Sequence, residues 1–163
     1  MKPALILTGK NVQDHEFIYP FYRLQEDGFD VDVATDGKTE VMGQLGAAKV
    51  TPTLGLDNLD PSEFQVLVLP GGAKCMEYMR QDKRIIEFIA AFNETGRVIG
   101  SICHAASLLI SAKVVAGRNI SGYYSIRDDI ENAGATYVDN PVVIDSNIIS
   151  TAHYKHLGPW MKA

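Results

Sequence analysis

The sequence predicts an α/β protein whose central sheet is mostly parallel and covered by helices on both faces. Three observations carry that prediction. Short apolar runs, at 4–7 and within 64–69, read as strands buried on both faces rather than strands with one wet side. Segments of helical character alternate with them and stop at glycines, 16–27 before Gly28 and 82–95 before Gly96. With 163 residues and 46% hydrophobic content, residues 1–163 suit one domain, large enough to bury roughly 70% of the surface its unfolded form exposes.

The elements follow in order. Residues 4–7 form a first strand, and a polar loop from Thr8 leads to a helix over 16–27, in which Pro20 is tolerated only in the first turn. Residues 29–34 alternate as a second strand, 35–46 read as a loop or short hairpin, and 51–62 as irregular. The strand at 64–69 is closed by Pro70-Gly71-Gly72, and Ile85, Ile86, Ile89 and Phe92 give 82–95 its apolar face. Residues 97–112 pass from an apolar strand to a leucine-rich helix with no loop between, and the switch falls on Cys103. Beyond Gly117 come a strand within 119–124, a helix at 125–133, three short strands at 136–138, 142–144 and 147–150, and the start of a last helix at 157–161. Ligands collect at the carboxyl ends of parallel strands, so the loops 8–16, 70–77 and Cys103-His104 are expected to converge on one pocket.

Composition narrows the function classes. A net charge of −5 leaves no basic footprint, so neither nucleic acid nor an anionic membrane is an expected partner. The apolar segment near the amino terminus is far shorter than a signal sequence or a membrane span, which predicts a cytoplasmic protein. Two cysteines, Cys75 and Cys103, lack C-x-x-C spacing, and a reducing compartment argues against a disulfide between them.

Cys103 is the candidate nucleophile, with an inert core cysteine as the alternative. At a strand-to-helix turn it faces unpaired helix amides, which predicts a thiol that ionises more readily than usual. Amides from His104 and from Gly71 or Gly72 are placed to receive an oxyanion. Glu16 is the second candidate. Near a thiolate, like charge and burial raise a carboxyl's pKa, leaving a protonated group that can donate to sulfur and move protons. His104 can act as a base if another group orients its ring, and Glu77 is the candidate for that task. His153 and His156 lack a third partner at recognisable spacing, so no metal is expected.

Taken together, Gly28-Phe-Asp-Val-Asp-Val, Leu67-Val-Leu-Pro-Gly-Gly72, Ser101-Ile-Cys-His104, Leu108-Leu-Ile-Ser-Ala112, Ser125-Ile-Arg-Asp-Asp129 and Asn132-Ala-Gly134 resemble the PfpI family of intracellular cysteine proteases and protein deglycases, within the DJ-1/PfpI superfamily. The resemblance runs over nearly the whole chain. It implies a flavodoxin-like three-layer sandwich of the class I glutamine-amidotransferase type, with Cys103 on a nucleophile elbow and Glu16 as its acidic partner. It also implies an oxyanion hole from the Gly72 and His104 amides and a homo-oligomer, dimer or hexamer, with no cofactor. In peptidase-like members a glutamate after Pro-Gly-Gly reaches the histidine across a subunit interface. Glu77 lies where that residue would be, with one extra residue before it.

Other positions depart from the family pattern. Ala105-Ala106 replace Gly-Pro, which predicts a more regular helix start and less room beside the thiol. Ala73 and Ala152-His153 stand where arginines are common, so the site has lost positive charge, and His153 is a pH-dependent substitute. Gly71, Tyr123 and His153 are the candidate substrate contacts. The leading expectation is a cysteine-dependent hydrolase or lyase acting on reactive carbonyls or their protein adducts, with a role in stress protection. The rivals are an intracellular peptidase using Cys103, His104 and a neighbour's Glu77, and a redox sensor in which Cys103 is oxidised to a sulfinic acid.

Overall fold

A computed structural model of the chain describes residues 2–163 apart from Lys38 and Asn58. In chain order the strands are β1 (Lys2–Leu7), β2 (Phe29–Thr35), β3 (Val41–Met42), β4 (Lys49–Val50), β5 (Leu54–Gly55), β6 (Val66–Leu69), β7 (Val98–Ile102), β8 (Asn119–Ile120), β9 (Thr136–Tyr137), β10 (Val143–Asp145) and β11 (Ile148–Thr151). The helices are α1 (Asp14–Glu26), α2 (Ala73–Met79), α3 (Lys83–Glu94), α4 (Ala106–Ser111), α5 (Arg127–Asn132) and α6 (Leu157–Lys162).

The central sheet runs β10-β11-β7-β6-β1-β2-β5, parallel throughout except for the antiparallel β10–β11 pair at one edge. Its inner order β2-β1-β6-β7-β11 is that of flavodoxin-like folds, and the chain reverses direction across the sheet between β1 and β6. Helices α1 and α6 pack together on one face, while α3, α4 and α5 form a contiguous layer on the other. The apolar runs behave as the pattern predicts, since Ala4 to Leu7 and Leu67 to Leu69 are buried. Trp160 of α6 lies against Gly100, where a Cβ would come within 3.0 Å of its ring.

Register brings the loops together. Leu69 pairs with Ser101 and Ile6 with Val68, so continuing each strand by two residues sets Gly71 beside Cys103 and Thr8 beside Pro70. Thr151 pairs with Ile102, which places Ala152 and His153 on the other side of the nucleophile.

Several elements differ from expectation. Helix α1 begins two residues early, at Asp14, because Gln13 caps it by accepting from the amides of His15 and Glu16. Pro20 therefore sits in the helix interior, where it has no N–H to give the Glu16 carbonyl. The stretch 51–62 contains edge strand β5, and 35–46 contributes β3 to a hairpin with β4; Lys38 and Asn58 lie outside the described residues. Helix α2 was not expected, since seven residues carrying Cys75, Met76 and Met79 inward are too short to show a period. Strands β8 and β9 pair with each other in a separate small sheet.

Candidate active site

Cys103 follows β7 directly, with φ at +62°, a left-handed backbone that side-chain-bearing residues rarely adopt. Such a conformation costs on the order of 1–3 kcal/mol and persists only where surroundings enforce it. Here they do. The Tyr123 amide donates to the Cys103 carbonyl at 3.0 Å, and β6 and β11 flank β7 on both sides. A 3-10 turn over Cys103–Ala105 then leads into α4, so the helix start is less regular than the Ala105-Ala106 pair predicts. Ala106 instead packs towards Gly122, where a Cβ would approach it to 2.9 Å.

The glycine pair is a close-packing device rather than a simple turn. A Cβ on Gly71 would lie 2.6 Å from Glu16 Oε2, 2.7 Å from the Ile102 carbonyl and 2.9 Å from Cys103 Cβ. Gly72 has φ at +104°, and a Cβ on it would lie 2.8 Å from the Asn11 carbonyl oxygen and 2.8 Å from the Gln13 nitrogen. Only residues without a side chain let these three loops meet.

Glu16 is fully buried, and its Oε2 accepts from the Gly71 amide at 2.8 Å. Oε1 has no hydrogen-bonding partner among the described residues and the Cys103 thiol is the side chain that the carboxyl faces. Burial pushes the Glu16 carboxyl up to about 7, against the opposing pull of the Gly71 amide and the thiol. An unpaired buried Oε1 suits a protonated carboxyl, which presents an O–H instead of a bare charge.

The thiol does not ionise as readily as its place at a strand end predicts. Burial comes first and the charge of Glu16 second in pushing Cys103 up, and the His104 and Gly72 amides pull it down by less. Helix α4 has only six residues and begins beyond the 3-10 turn, so its dipole has little effect at the sulfur. Glu16 and Cys103 form a coupled pair in which removal of one proton opposes removal of the second.

His104 Nδ1 lies 3.3 Å from Cys103 Sγ, and its ring stacks on Tyr123 with centroids 4.5 Å apart. Burial lowers its pKa, so the imidazole is neutral at neutral pH. Glu77 is not the group at its far nitrogen within the chain. It projects from α2 into solvent and pairs with Lys74 at 2.6 Å. Ser125, which the sequence reading passed over, has its Oγ 3.3 Å from His104 Nε2.

Around these groups is a cavity of about 230 Å3 lined by Gln13, Glu16, Gln44, Ala73, Cys103, His104, Tyr123, His153 and Tyr154. Tyr123 and His153 thus line it as expected, whereas Gly71 lies behind Glu16. His153 is no cationic substitute at neutral pH. Burial and then Lys155 and His156 lower its pKa, and its Nδ1 accepts from the Lys155 amide at 3.2 Å. The rings continue as a chain, with His153 and Tyr154 centroids 4.1 Å apart and Tyr154 stacked on His15 at 5.1 Å.

Gln44 reaches the cavity because Asp14 holds its loop. The Asp14 carboxylate accepts from the amides of Leu45, Ala47 and Ala48 at 2.7, 2.7 and 2.6 Å. Burial works against the charge, yet these amides outweigh it and hold the pKa below the ordinary value. No local signal marks Gln44, and Ser125 stands in a family motif without any sign of its partner, because each is supplied by a loop whose docking depends on distant residues. Cys75 is buried with its thiol pushed up to about 12 by burial, which fits an inert cysteine. Among the described residues no three His, Cys, Asp or Glu side chains gather as a metal site, and no helix is long and apolar enough to cross a membrane.

Comparison with known proteins places this geometry. Residues 2–163 match the model of the DJ-1/PfpI family. The deglycase TK1284 of Thermococcus kodakarensis is 39% identical over 98% of this chain and 95% of its own length. The deglycase PfpI of Pyrococcus furiosus is 38% identical over 97% of this chain and 94% of its own. Among solved structures, a two-domain protein of Anabaena variabilis with DJ-1/ThiJ/PfpI-like and ferritin-like domains superposes with a TM-score of 0.97 at 29% identity over 99% of this chain. The chain spans 46% of that protein.

Proposed function

The chain belongs to the DJ-1/PfpI family, and we propose that it is a cysteine-dependent enzyme of glyoxalase or deglycase type, acting on reactive carbonyls or their protein adducts. The observation that carries this reading is the pairing of a strained Cys103 with a buried Glu16 whose carboxyl titrates near neutrality. The names of the Thermococcus and Pyrococcus relatives support it.

At neutral pH the pair holds one proton, chiefly on sulfur; in the reactive minor state that proton has left by way of His104 Nδ1, 3.3 Å away, and rests on Glu16, so that the sulfur is a thiolate. The thiolate attacks the aldehyde carbon of a small dicarbonyl. A C–S bond forms, and the carbonyl electron pair moves to oxygen, facing the His104 and Gly72 amides. Glu16 gives this oxygen its proton and, as a carboxylate, takes the proton on the same carbon and delivers it to the neighbouring carbonyl carbon. The hydroxyl proton passes to the second oxygen. The first carbon is thereby oxidised to a thioester while the second is reduced to an alcohol, and no outside oxidant is required. Water then cleaves the thioester, releasing a hydroxy acid and regenerating the thiol. On a hemiaminal adduct the thiolate instead displaces the amine: the C–S bond forms as the C–N bond breaks, the leaving nitrogen takes the Glu16 proton, and the hemithioacetal so formed follows the same course.

The test is conversion of methylglyoxal to lactate by the purified protein. Wild type converts it and Cys103→Ala does not; equal conversion by the two sinks the reading. The 3.3 Å Cys103–His104 contact favours a peptidase as the second reading, in which an oligomer brings Glu77 of a neighbouring subunit to His104. Cleavage of a denatured protein substrate that disappears in Cys103→Ala, without lactate formation, would select it.

A further inference from the structure

We propose that Ser125 is the positioning residue for His104, so that a Cys103–His104–Ser125 relay is completed within one chain. This rests on the reading of Cys103 as nucleophile. Three distances define it: Cys103 Sγ to His104 Nδ1 is 3.3 Å, His104 Nε2 to Ser125 Oγ is 3.3 Å, and the ring lies against Tyr123 at 4.5 Å between centroids.

The ring's chemistry gives these contacts a direction. A neutral imidazole carries one N–H and one lone pair. To accept the thiol proton, Nδ1 must be the bare nitrogen, and the N–H is then at Nε2. The thiol sets the direction: with Sγ–H donating to Nδ1 the ring carries its proton on Nε2, and the Ser125 hydroxyl oxygen accepts that N–H, holding the tautomer in which His104 can act on the sulfur. Without an acceptor at Nε2 the ring is free to place its proton on Nδ1, where it opposes proton transfer from the thiol.

Ser125 is itself held by the nucleophile's segment. It lies in the 3-10 turn Tyr124–Ile126, whose start is tied to the elbow by the Tyr123 amide on the Cys103 carbonyl, and the Ile126 amide closes the turn on the Tyr123 carbonyl at 3.0 Å. Glu77 stands differently. It is on α2, and its carboxylate is engaged by Lys74 at the surface.

The experiment uses the full chain with Ser125→Ala, Ser125→Thr and Glu77→Gln. The His104 ring is followed by 15N NMR, and methylglyoxal turnover is resolved into kcat and KM. Ser125→Ala is expected to lower kcat about tenfold with KM within about twofold, and to shift the His104 ring nitrogens away from the Nε2–H pattern. Ser125→Thr, which restores the hydroxyl, is expected to recover both. Wild-type kcat together with unchanged ring nitrogens in Ser125→Ala overturns the proposal. A loss in Glu77→Gln that Ser125→Ala does not share also overturns it, assigning His104 to the neighbouring subunit. If Cys103→Ala turns over methylglyoxal like wild type, the function reading fails, while the ring nitrogens still decide the role of Ser125.

Discussion

The Gly71 amide donates to Glu16 Oε2 at 2.8 Å across a sequence separation of 55 residues. That contact ties the loop after β6 to the first turn of α1 and holds the carboxyl beside the Cys103 thiol. Access between them depends on the missing side chain at Gly71.

Gly71→Ala should therefore be severe. A Cβ there meets Glu16 Oε2, the Ile102 carbonyl and Cys103 Cβ, all under 3.0 Å, and two of these neighbours are backbone or fixed core atoms. Urea unfolding is expected to show a loss on the order of 1–3 kcal/mol, together with loss of turnover. Gly158→Ala is the contrast, because a Cβ in α6 meets nothing within 4 Å and alanine favours a helix. It should hold or raise the unfolding free energy by up to about 1 kcal/mol.

Stability should carry the signature of Glu16. Its carboxyl rises from an ordinary 4.5 to about 7 on folding, so below about 4.5 it is protonated in both states and has no linkage effect. Above that pH the unfolded chain ionises first, and the folded state loses stability until about pH 7, by on the order of 3 kcal/mol. Glu16→Gln removes this penalty. Its melting temperature should exceed that of wild type at pH 8, with the gap shrinking at pH 5; a constant gap across that range would mean that Glu16 titrates normally.

Alkylation should separate the two thiols. Iodoacetamide is expected to modify Cys103, which lines the cavity, and to spare Cys75, which is sealed in the core. Because the carboxylate charge helps to hold the Cys103 thiol up, Glu16→Gln should move the alkylation inflection to lower pH. An inflection that stays or rises would show that the charge has no such effect.

Asp14→Asn tests the loop clamp. The carboxylate accepts three amide hydrogen bonds, and an amide with one acceptor oxygen cannot replace them all. A destabilisation of roughly 2 kcal/mol is expected by denaturant unfolding at pH 7. The carboxylate's folded pKa lies below its unfolded value, so its stabilisation is present above about pH 3.8 and is lost as pH falls through the lower folded value. The difference between the two proteins should narrow on acidification in step.

By itself the sequence determined the buried parallel strands, because unbroken apolar runs such as residues 4–7 and 66–69 admit few other placements, and the crossover rule then orders their ends. It also singled out Cys103 and Glu16, since a strand-to-helix switch and a carboxylate in a strand-end loop are local facts that the DJ-1/PfpI motifs reinforce. Tertiary structure alone decided what surrounds them. Gly71 and Gly72 are required by contacts with Glu16, Ile102, Asn11 and Gln13, none of them adjacent in sequence. The partner of His104 within the chain is Ser125, 21 residues away, and not Glu77, which α2 presents at the surface beside Lys74. The direction of the Cys103 pKa followed the same logic, for a helix dipole is a property of neighbours in the chain, whereas burial and the charge of Glu16 arise only once the layers close.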